Sequence, residues 1–546
     1  MEEKFRKQVE KMLGYKNLEK PPKPELGDLA FPCFELAKKR KRNPSEVAKE
    51  IANKLKPRGL VSEIRAVGPY VNFFLNMHKF SEEVLRTVLK EGKNYGKGTK
   101  RGRIIVEFCH VNTHKAFHIG HVRNTCLGEA ISRLLEFQGY KVLRFNYQGD
   151  IGPHVARCLW GLERLKLKEP KSIHEKGRWL GLVYSMASKK ISKNKKFEEE
   201  VKELTKQLYE GKSELMKLWK ETRKWSLSYF DSIYRDLDVK FDKFFFESDF
   251  GKTSLLEVRK LLKKGLAKES DGAIIFDLKK YGLDVAVLVS KEGYPLYHAK
   301  DIALARKEFS YKPDRVIHVV ASEQDFYFRQ LFKILEFVKK EWSEKNYHLS
   351  YGLVNLKTGK MSSREGSLVT YDELIEKLRS HALKESKKAT NLKRIAEIVA
   401  IGALKYDMLK MSENKNILFD WKDALDLQGN SAPYLQYTHA RAKSILRKAN
   451  FRPKVKGDEL LLEKEKTLIK EISSFPKVVS DAAENGRPHT LANYLYKLCN
   501  EFNEYYQTIP VLKSKQKSSR LALVKAVSIV LKNGLKLLGI EAPEKM

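Results

Sequence analysis

Two short segments, far apart in this 546-residue chain, carry residue types that suit phosphate binding. The first runs from Asn112 to His121 and contains His118 and Gly120. Two histidines three positions apart share a helix face and can donate hydrogen bonds, and a glycine lets a nucleotide approach the backbone. The N-terminus of a helix adds free N–H groups and a favourable dipole. We therefore expect this segment to hold the phosphates of a nucleotide; the alternative is a chance H-x-G-H sequence at a helix start.

The second segment is short and basic, and it reads Lys360, Met361, Ser362, Ser363 and Arg364. A lysine in a loop of this kind can close over phosphates and neutralise the charge that develops on them. The alternative is a solvated basic turn, which is common in a chain with 106 Lys and Arg residues.

Patterned elements flank both segments. An apolar strand over residues 104–108 precedes the first segment, a helical period covers 119–137, and another strand follows over 141–146. The strand pattern resumes at 315–320 and leads into a helix over 327–339. Strands that alternate with helices predict a Rossmann-like, doubly wound α/β domain.

The chain divides into three predicted domains. Residues 1–97 form an α+β unit, in which two helices lie within 34–56 and a strand covers 70–76. Residues 98–415 form the α/β domain, with an insertion at about 160–290 that is first helical and then stranded. Residues 416–546 have helical patterns almost throughout and form an all-α bundle.

Net charge, cysteine spacing and the lack of long apolar stretches indicate which kinds of protein this chain can be. The net charge is +37, from 106 basic and 69 acidic residues, which suits a polyanionic partner or, alternatively, a Lys-rich proteome. The five scattered cysteines contain no C-x-x-C pair, so we expect no metal site. The first residues carry charges of both signs without an apolar core, and no stretch reaches the ~20 apolar residues of a membrane span. We expect a cytoplasmic protein without membrane contact.

The two segments resemble the HIGH and KMSKS signatures of class I aminoacyl-tRNA synthetases, which activate an amino acid with ATP and load it onto tRNA. Ser363 stands where the second signature has lysine. Arginyl-tRNA synthetases often lack that lysine and carry one just before HIGH, a place that Lys115 occupies. The resemblance implies catalytic roles for Lys115, His118, His121 and Lys360. It also implies ATP binding by His118, Gly120, His121, Lys360, Met361, Ser362 and Ser363.

Segments 106–112, 293–301, 321–325, 429–441 and 538–546 resemble arginyl-tRNA synthetases specifically. The implied arginine-binding residues are Glu107, Asn112, His121, Tyr297, Asp301 and Gln324. A carboxylate can bind a planar guanidinium through two hydrogen bonds, which suits Asp301 and Glu107. The alternative for Asp301 is an ordinary helix carboxylate paired with Lys300 or Arg306.

Two regions resemble the tRNA-contacting parts of that family. Tyr70 and Asn72 match an aromatic residue and an amide that hold a D-loop base, although Tyr70 can equally be core of its strand. Tyr434, Tyr437 and Arg441 share a helix face that can form a stacking platform for anticodon bases or part of the bundle core.

The resemblance implies an arginine–tRNA ligase that uses ATP with Mg²⁺, forms arginyl-adenylate and transfers arginine to the 2′-OH of the terminal adenosine of tRNA(Arg). We expect a monomer. The nearest rival is another class I synthetase, such as the cysteinyl enzyme, whose zinc-bound thiolate site the cysteine spacing does not offer. Two further rivals are a non-catalytic RNA-binding scaffold and a tRNA-independent nucleotidyltransferase. The retained Lys115, His118 and His121 speak against the scaffold, and the helical C-terminal domain and the +37 charge speak against the nucleotidyltransferase.

Overall fold

The computed structural model describes residues 2–356, 369–385, 391–449, 453–456, 459–460 and 462–546. Its N-terminal region has seven helices and strands, namely α1 (Glu2–Leu13), β1 (Leu29–Pro32), α2 (Phe34–Arg40), α3 (Pro44–Lys54), β2 (Val61–Val67), β3 (Tyr70–Leu75) and α4 (Met77–Glu91). The strands form an antiparallel sheet in the order β1-β3-β2. Pro44 begins α3, where its missing N–H costs nothing, and the Asn43 side chain caps that helix. The predicted helices and strand of this region are confirmed.

The second region contains the functional segments. Its elements are β4 (Arg103–Glu107), α5 (Ile119–Phe137), β5 (Lys141–Gln148), α6 (Pro153–Arg164), α7 (Ile173–Ile191), α8 (Lys195–Glu210), α9 (Ser213–Asp236), β6 (Lys243–Phe246), α10 (Gly251–Lys263), β7 (Lys268–Ser270), β8 (Ala273–Asp277), β9 (Val285–Val289), α11 (Tyr297–Phe309), β10 (Arg315–Ala321), α12 (Asp325–Val338), α13 (Lys340–Lys345), β11 (Asn346–Tyr351) and β12 (Val354–Leu356).

Five parallel strands form the central sheet in the order β11-β10-β4-β5-β6. Strand order reverses around β4, so this is the doubly wound fold that the pattern predicts. The sequence-based boundary of the insertion is wrong in one respect: β6 lies inside residues 160–290 but pairs with β5 in the central sheet. The predicted strands near 272–276 and 285–289 are confirmed as β8 and β9, which form a separate antiparallel sheet with β7.

Helix α5 lies unusually close to the strand that precedes it. A Cβ atom placed on Gly128, in the middle of α5, would lie only 2.1 Å from Cγ of Phe108, which directly follows β4. Any side chain at this position would push the helix away from the sheet. The glycine therefore fixes the depth at which α5, and with it His118 at its start, sits on the central sheet.

The C-terminal region is helical, as predicted. It contains α14 (Tyr371–Glu385), α15 (Leu392–Leu409), β13 (Ile417–Phe419), α16 (Trp421–Leu425), α17 (Ala432–Ala449), α18 (Glu463–Asn485), α19 (Pro488–Thr508) and α20 (Lys517–Leu537). The short strand β13 pairs in parallel with β12 and so joins this region to the preceding one. Within the described ranges, we find no helix that combines the length and the apolarity of a membrane span.

The linker between the first two regions is attached to the C-terminal helices. The Tyr95 hydroxyl donates to the carbonyl of Ile472 on α18 at 3.0 Å, and the Asn533 amide on α20 donates to the carbonyl of Gly92 at 2.9 Å. Tyr95 is buried and its ring stacks on Phe475. The N-terminal unit is thus held against the C-terminal helices by buried contacts.

Candidate active site

The two histidines of the first segment cap α5 reciprocally. His118 is the N-cap residue, and its Nδ1 accepts a hydrogen bond from the Gly120 amide at 3.2 Å. Nδ1 of His121 accepts from the His118 amide, also at 3.2 Å. The two rings stack with their centroids 3.7 Å apart. Two of the unpaired amides at the helix start are thereby satisfied, and the rings are held rigidly together.

These contacts fix the protonation state of both rings. Because each Nδ1 accepts from a backbone amide, the proton of each neutral ring is on Nε2. Burial, with help from the Lys115 charge, lowers the pKa of His118 to about 4. Burial and the neighbouring His118 and Lys115 lower the pKa of His121 well below its usual value. Near pH 7 the pair therefore presents two neutral Nε2–H donors.

Lys115 supplies a positive charge close to the two neutral histidines. Its ammonium lies 5.4 Å from the centroid of the Tyr184 ring on α7 and lowers the pKa of both histidines. A cation over an aromatic ring is held in place by the ring quadrupole. The sequence places this lysine just before the histidines, and the structure places its charge beside them.

Residues 109–118 leave β4 in an unusual backbone conformation. Cys109 and His114 both have positive φ values, 65° and 64°, which side-chain-bearing residues seldom adopt. The Cys109 amide donates to the Asn124 side chain at 2.5 Å, and His114 Nε2 contacts the Thr222 hydroxyl of α9 at 2.8 Å. The buried His114, which sequence reasoning did not single out, thus ties the loop to the helical insertion.

Lys360, Met361, Ser362 and Ser363 lie outside the described residues. The chain that follows them meets the first segment directly. The Ile119 amide donates to the Val369 carbonyl at 3.1 Å, and the Tyr371 amide donates to the Phe117 carbonyl at 2.7 Å. The residues after the second segment are therefore hydrogen-bonded to both sides of His118.

Asp301 lies on α11 and is partly buried. Tyr327 on α12 donates its hydroxyl to Asp301 Oδ2 at 2.5 Å. Burial raises the pKa of Asp301 to about 7, against the lowering effect of that hydrogen bond. The alternative of a helix ion pair is wrong, because Lys300 pairs with Glu247 and Arg306 pairs with Glu257, each at 2.6 Å. Among the described residues, Asp301 forms no ion pair.

Glu107, the last residue of β4, faces the same space. It and Asp301 line a small cavity of about 20 Å³ together with Glu308, His318 and Asn346. Burial alone would raise the pKa of Glu107, but the facing His318 lowers it to about 2. Glu107 is thus a buried carboxylate at the carboxyl end of a central strand, directly before the loop that leads to the histidines.

Asn112 meets a third acid that sequence reasoning missed. A Cβ atom on Gly149 would lie 2.3 Å from Asn112 Oδ1 and 3.0 Å from Glu247 Oε1. The amide of Asn112 and the carboxylate of Glu247 therefore both lie next to the backbone of Gly149, where only a glycine leaves room for them. Glu247 is largely buried and pairs with Lys300. It directly follows β6, and an acid at the carboxyl end of that strand is the signal that was available.

Tyr297 and Gln324 lie at the border of this acidic region. Tyr297 opens α11, is 65% exposed, and its ring centroid is 5.9 Å from the Lys300 ammonium. Gln324 is exposed in the turn after β10. The acids form the buried part of the region, and these two side chains face solvent.

The predicted tRNA-contacting residues lie in two separate places. Tyr70 packs edge-on against the exposed Phe34, whereas Asn72 is only 3% exposed within the sheet. On α17, Tyr434 is bonded to Asn500 and Asn503 of α19, while Tyr437 is 42% exposed with the Arg441 guanidinium 4.9 Å from its ring centroid. The exposed Tyr437 and the partly buried Arg441, which also donates to Asn503 Oδ1, line a basic cavity of about 1020 Å³. Its other residues include Arg394, Arg447, Lys448, Tyr506, Lys513 and Lys545.

A parallel doubly wound sheet, a histidine pair at the N-terminus of the helix after its central strand, and a helical C-terminal region define the catalytic fold of class I aminoacyl-tRNA synthetases. The comparisons agree. Residues 84–421 match the family model "tRNA synthetases class I (R), catalytic domain", residues 435–546 match the "DALR anticodon binding domain", and residues 1–75 match the "Arginyl tRNA synthetase N terminal domain".

Individual relatives span the whole chain. The arginine–tRNA ligases of Bdellovibrio bacteriovorus and Halothermothrix orenii are 38% and 37% identical, over 97% of this chain and 94% and 95% of theirs. The solved arginyl-tRNA synthetase of Thermus thermophilus superposes with a TM-score of 0.80 at 28% identity, over 100% of this chain and 99% of that one. This chain belongs to the arginyl-tRNA synthetase family, whose members are aminoacyl-tRNA ligases that use ATP.

Proposed function

We propose that this chain joins L-arginine to tRNA(Arg) in two steps. Arginine attacks the α-phosphorus of ATP to give arginyl-adenylate and pyrophosphate, and the 2′-OH of the terminal adenosine of the tRNA then displaces AMP. One observation carries this proposal: β4 ends in the buried acid Glu107 and leads directly into the loop that presents two neutral histidine donors. Because Glu107 and Asp301 line one cavity, an acidic pocket for a cation would adjoin the loop that is to hold the phosphates.

The first step needs alignment and charge neutralisation more than covalent help. The Nε2–H groups of His118 and His121 suit the phosphate oxygens, because neutral donors bind an anion without a proton transfer. Lys115 supplies a positive charge beside them, in place of the lysine that Ser363 replaces in the second segment. Lys360, with Met361 and Ser362, completes the phosphate contacts, and Mg²⁺ enters as the counter-ion of ATP.

Selection of arginine depends on the buried acids. A carboxylate such as Asp301 can take the guanidinium through two parallel hydrogen bonds, whereas lysine has no such fork. A neutral amino acid would leave the acid unpaired in a buried site, which is strongly unfavourable. Asn112 and Gln324 would hold the α-amino and carboxylate groups, and Tyr297 would cover the bound side chain.

Recognition of tRNA would involve both ends of the chain. The exposed Tyr437 ring, with the partly buried Arg441 guanidinium against it in a basic cavity, suits an unstacked anticodon base, since aromatic and guanidinium planes both stack on bases. Tyr434, bonded to α19, would support this face. The partly exposed Tyr70 beside Phe34 suits a base of the D-loop, and the buried Asn72 would reach it only by its edge. The setting is cytoplasmic protein synthesis.

The direct test is aminoacylation of total tRNA with each of the twenty amino acids in turn. Incorporation of arginine alone is the expected result, and equal incorporation of lysine would reject the assigned acidic pocket. ATP–pyrophosphate exchange with arginine, measured with and without tRNA, tests a second expectation. We expect exchange to require tRNA, and robust exchange without it would contradict that expectation.

A further inference from the structure

Behind Asp301 lies a buried polar unit of four side chains: Glu107 on β4, Glu308 on α11, His318 on β10 and Asn346 on β11. The two carboxylates and the imidazole each place one atom within 4.8 Å of the others. Three charged or chargeable groups this close together in a buried site require a defined arrangement of protons.

The hydrogen bonds assign two protons to His318. The Asn346 amide nitrogen donates to the Trp342 carbonyl at 2.8 Å, so its oxygen is the atom that faces His318 Nε2, at 2.7 Å. Nε2 must therefore carry a proton. Nδ1 lies 3.2 Å from Glu107 Oε1 and donates to it when Glu107 is ionised. With both nitrogens protonated, the ring is an imidazolium.

Matching hydrogen-bond donors with acceptors in the same way assigns a proton to Glu308. Glu107 Oε2 and Glu308 Oε1 are buried oxygens without a hydrogen-bond partner among the described side chains and backbone. Two facing carboxylates accept only, and they repel each other, whereas a carboxylic acid can donate to a carboxylate. Burial and the adjacent Glu107 raise the pKa of Glu308 well above its usual value, while His318 keeps Glu107 ionised.

A metal ion is the competing explanation for two acids and a histidine in contact. A histidine that donates through both nitrogens has no lone pair left for a metal. The orientation of Asn346, fixed by Trp342, makes Nε2 a donor, and Glu107 takes Nδ1. The proton arrangement accounts for the contacts of His318 with Asn346 and Glu107 without an ion. His110, whose Nδ1 lies 3.7 Å from Glu107 Oε1, adds no charge to the unit, because burial lowers the pKa of its ring.

We propose that His318 and Glu308 are positioning residues that keep Glu107 ionised and oriented, and that the unit of imidazolium, carboxylate and carboxylic acid is held at zero net charge. With Glu247 neutralised by Lys300, Asp301 is then the acid left to balance one guanidinium. The inference rests on the proposed function, because arginine is the ligand whose charge is matched. The consequence is that the pocket contains one uncompensated negative charge and therefore favours an amino acid whose side chain carries one positive charge.

Substitutions at Glu308 test the assigned proton. Glu308→Gln keeps the shape, the donor and the zero charge, so the arginine KM and its dependence on pH should stay close to those of the unmodified protein. Glu308→Leu removes the donor to Glu107 and should raise the arginine KM on the order of tenfold while leaving the ATP KM unchanged. If Glu308 were instead ionised, Glu308→Gln would remove a negative charge and shift the acid limb of the arginine KM profile, and the inference would be overturned.

His318→Gln tests the imidazolium. Loss of the positive charge should raise the arginine KM and move its acid limb to higher pH by about one unit, because Glu107 and Asp301 would both bind protons more tightly. Equal increases in the KM values of arginine and ATP would indicate a merely structural role. Melting temperatures of all variants report the structural loss separately.

A readout independent of catalysis completes the test. In the ¹⁵N spectrum of histidine-labelled protein, the His318 ring, assigned by its loss in His318→Gln, should show two protonated nitrogens at pH 8. A neutral ring there would overturn the inference even if the chain charges tRNA with arginine. Failure of the unmodified protein to bind or transfer arginine would instead reject the proposed function, which keeps the two failures distinct.

Discussion

Arginine affinity should depend on the protonation of Asp301. This carboxylate is partly buried and has no cationic partner among the described residues, and desolvation raises its pKa to about 7. The groups that face it are Tyr147 of β5, Tyr327 of α12, Glu107, Glu247, Glu308 and His318. Glu107, with a pKa of about 2, stays ionised near neutral pH, and Glu308, whose pKa is raised, stays protonated. Burial also raises the pKa of Glu247, but its ion pair with Lys300 favours the ionised form. Asp301, with a pKa of about 7 and no such ion pair among the described residues, is therefore the acid expected to control arginine binding near neutral pH.

The size of the effect follows from the pKa. With a value of about 7, about one-eleventh of Asp301 is ionised at pH 6 and about ten-elevenths at pH 8. Since the guanidinium binds the ionised form, the apparent Kd for arginine should fall about tenfold as pH rises from 6 to 8 and level off above that. Bound arginine stabilises the carboxylate, so binding near pH 7 should release a fraction of one proton.

Isothermal titration calorimetry of the whole chain with arginine measures both quantities, the second from runs in buffers of different ionisation enthalpy. The ATP KM is an internal control, because the pKa of His118 is about 4 and its ring stays neutral throughout this window.

Asp301→Asn should weaken arginine binding at pH 8 by about 2 to 5 kcal/mol, which is about 30-fold to 4000-fold, and should abolish the pH dependence. Tyr327→Phe is a matched control, since it removes the donor to Asp301 and should move the transition to higher pH. A wild-type Kd that stays constant from pH 6 to 8, or an Asp301→Asn variant that keeps the slope, would refute the reasoning.

Three other perturbations test separate parts of the structure. Lys115→Ala should lower kcat for adenylation by about 100-fold, because a charge beside the phosphates is lost, and should barely change the arginine KM; equal losses in both would contradict the assigned role. Arg441→Ala should remove a stacking partner worth about 1 kcal/mol and raise the tRNA KM about fivefold, and an unchanged tRNA KM would remove this face from the interface. Gly128→Ala should lower the melting temperature by several degrees, corresponding to about 3 kcal/mol, because its Cβ would overlap Phe108; an unchanged melting temperature would show that α5 can shift freely.

The sequence predicted the long elements well because their patterns are local. The helix expected over 119–137 is α5 to the residue, and the strands near 104–108, 141–146 and 315–320 are β4, β5 and β10. Strand β6 was missed because a run of four residues, Lys243–Phe246, carries too little periodicity, and its pairing with β5 joins positions nearly a hundred residues apart. Strand β13 was also missed, because its three residues are too few to show a periodic pattern.

The site was predicted in part. The resemblance to arginyl-tRNA synthetases pointed to His118, His121, Lys115 and Asp301, and their roles stay predictions. Glu247 has no local signature, since its role arises only when β6 joins the central sheet and places it beside Asn112. The network of Glu308 and His318 likewise depends on α11 and β10 meeting in space, which no spacing rule encodes.

The hydrogen bonds that tie Gly92 and Tyr95 to α20 and α18 have a mechanical consequence. An ion pair of 3.1 Å between Lys470 and Asp28 reinforces them. If the proposed function is correct, these contacts hold the two tRNA-binding regions, around Tyr70 and around Tyr437, at a fixed distance from each other. An RNA whose elbow and anticodon are separated by a different distance could contact one of these regions but not both. The enzyme would therefore select its partner by overall length as well as by base recognition.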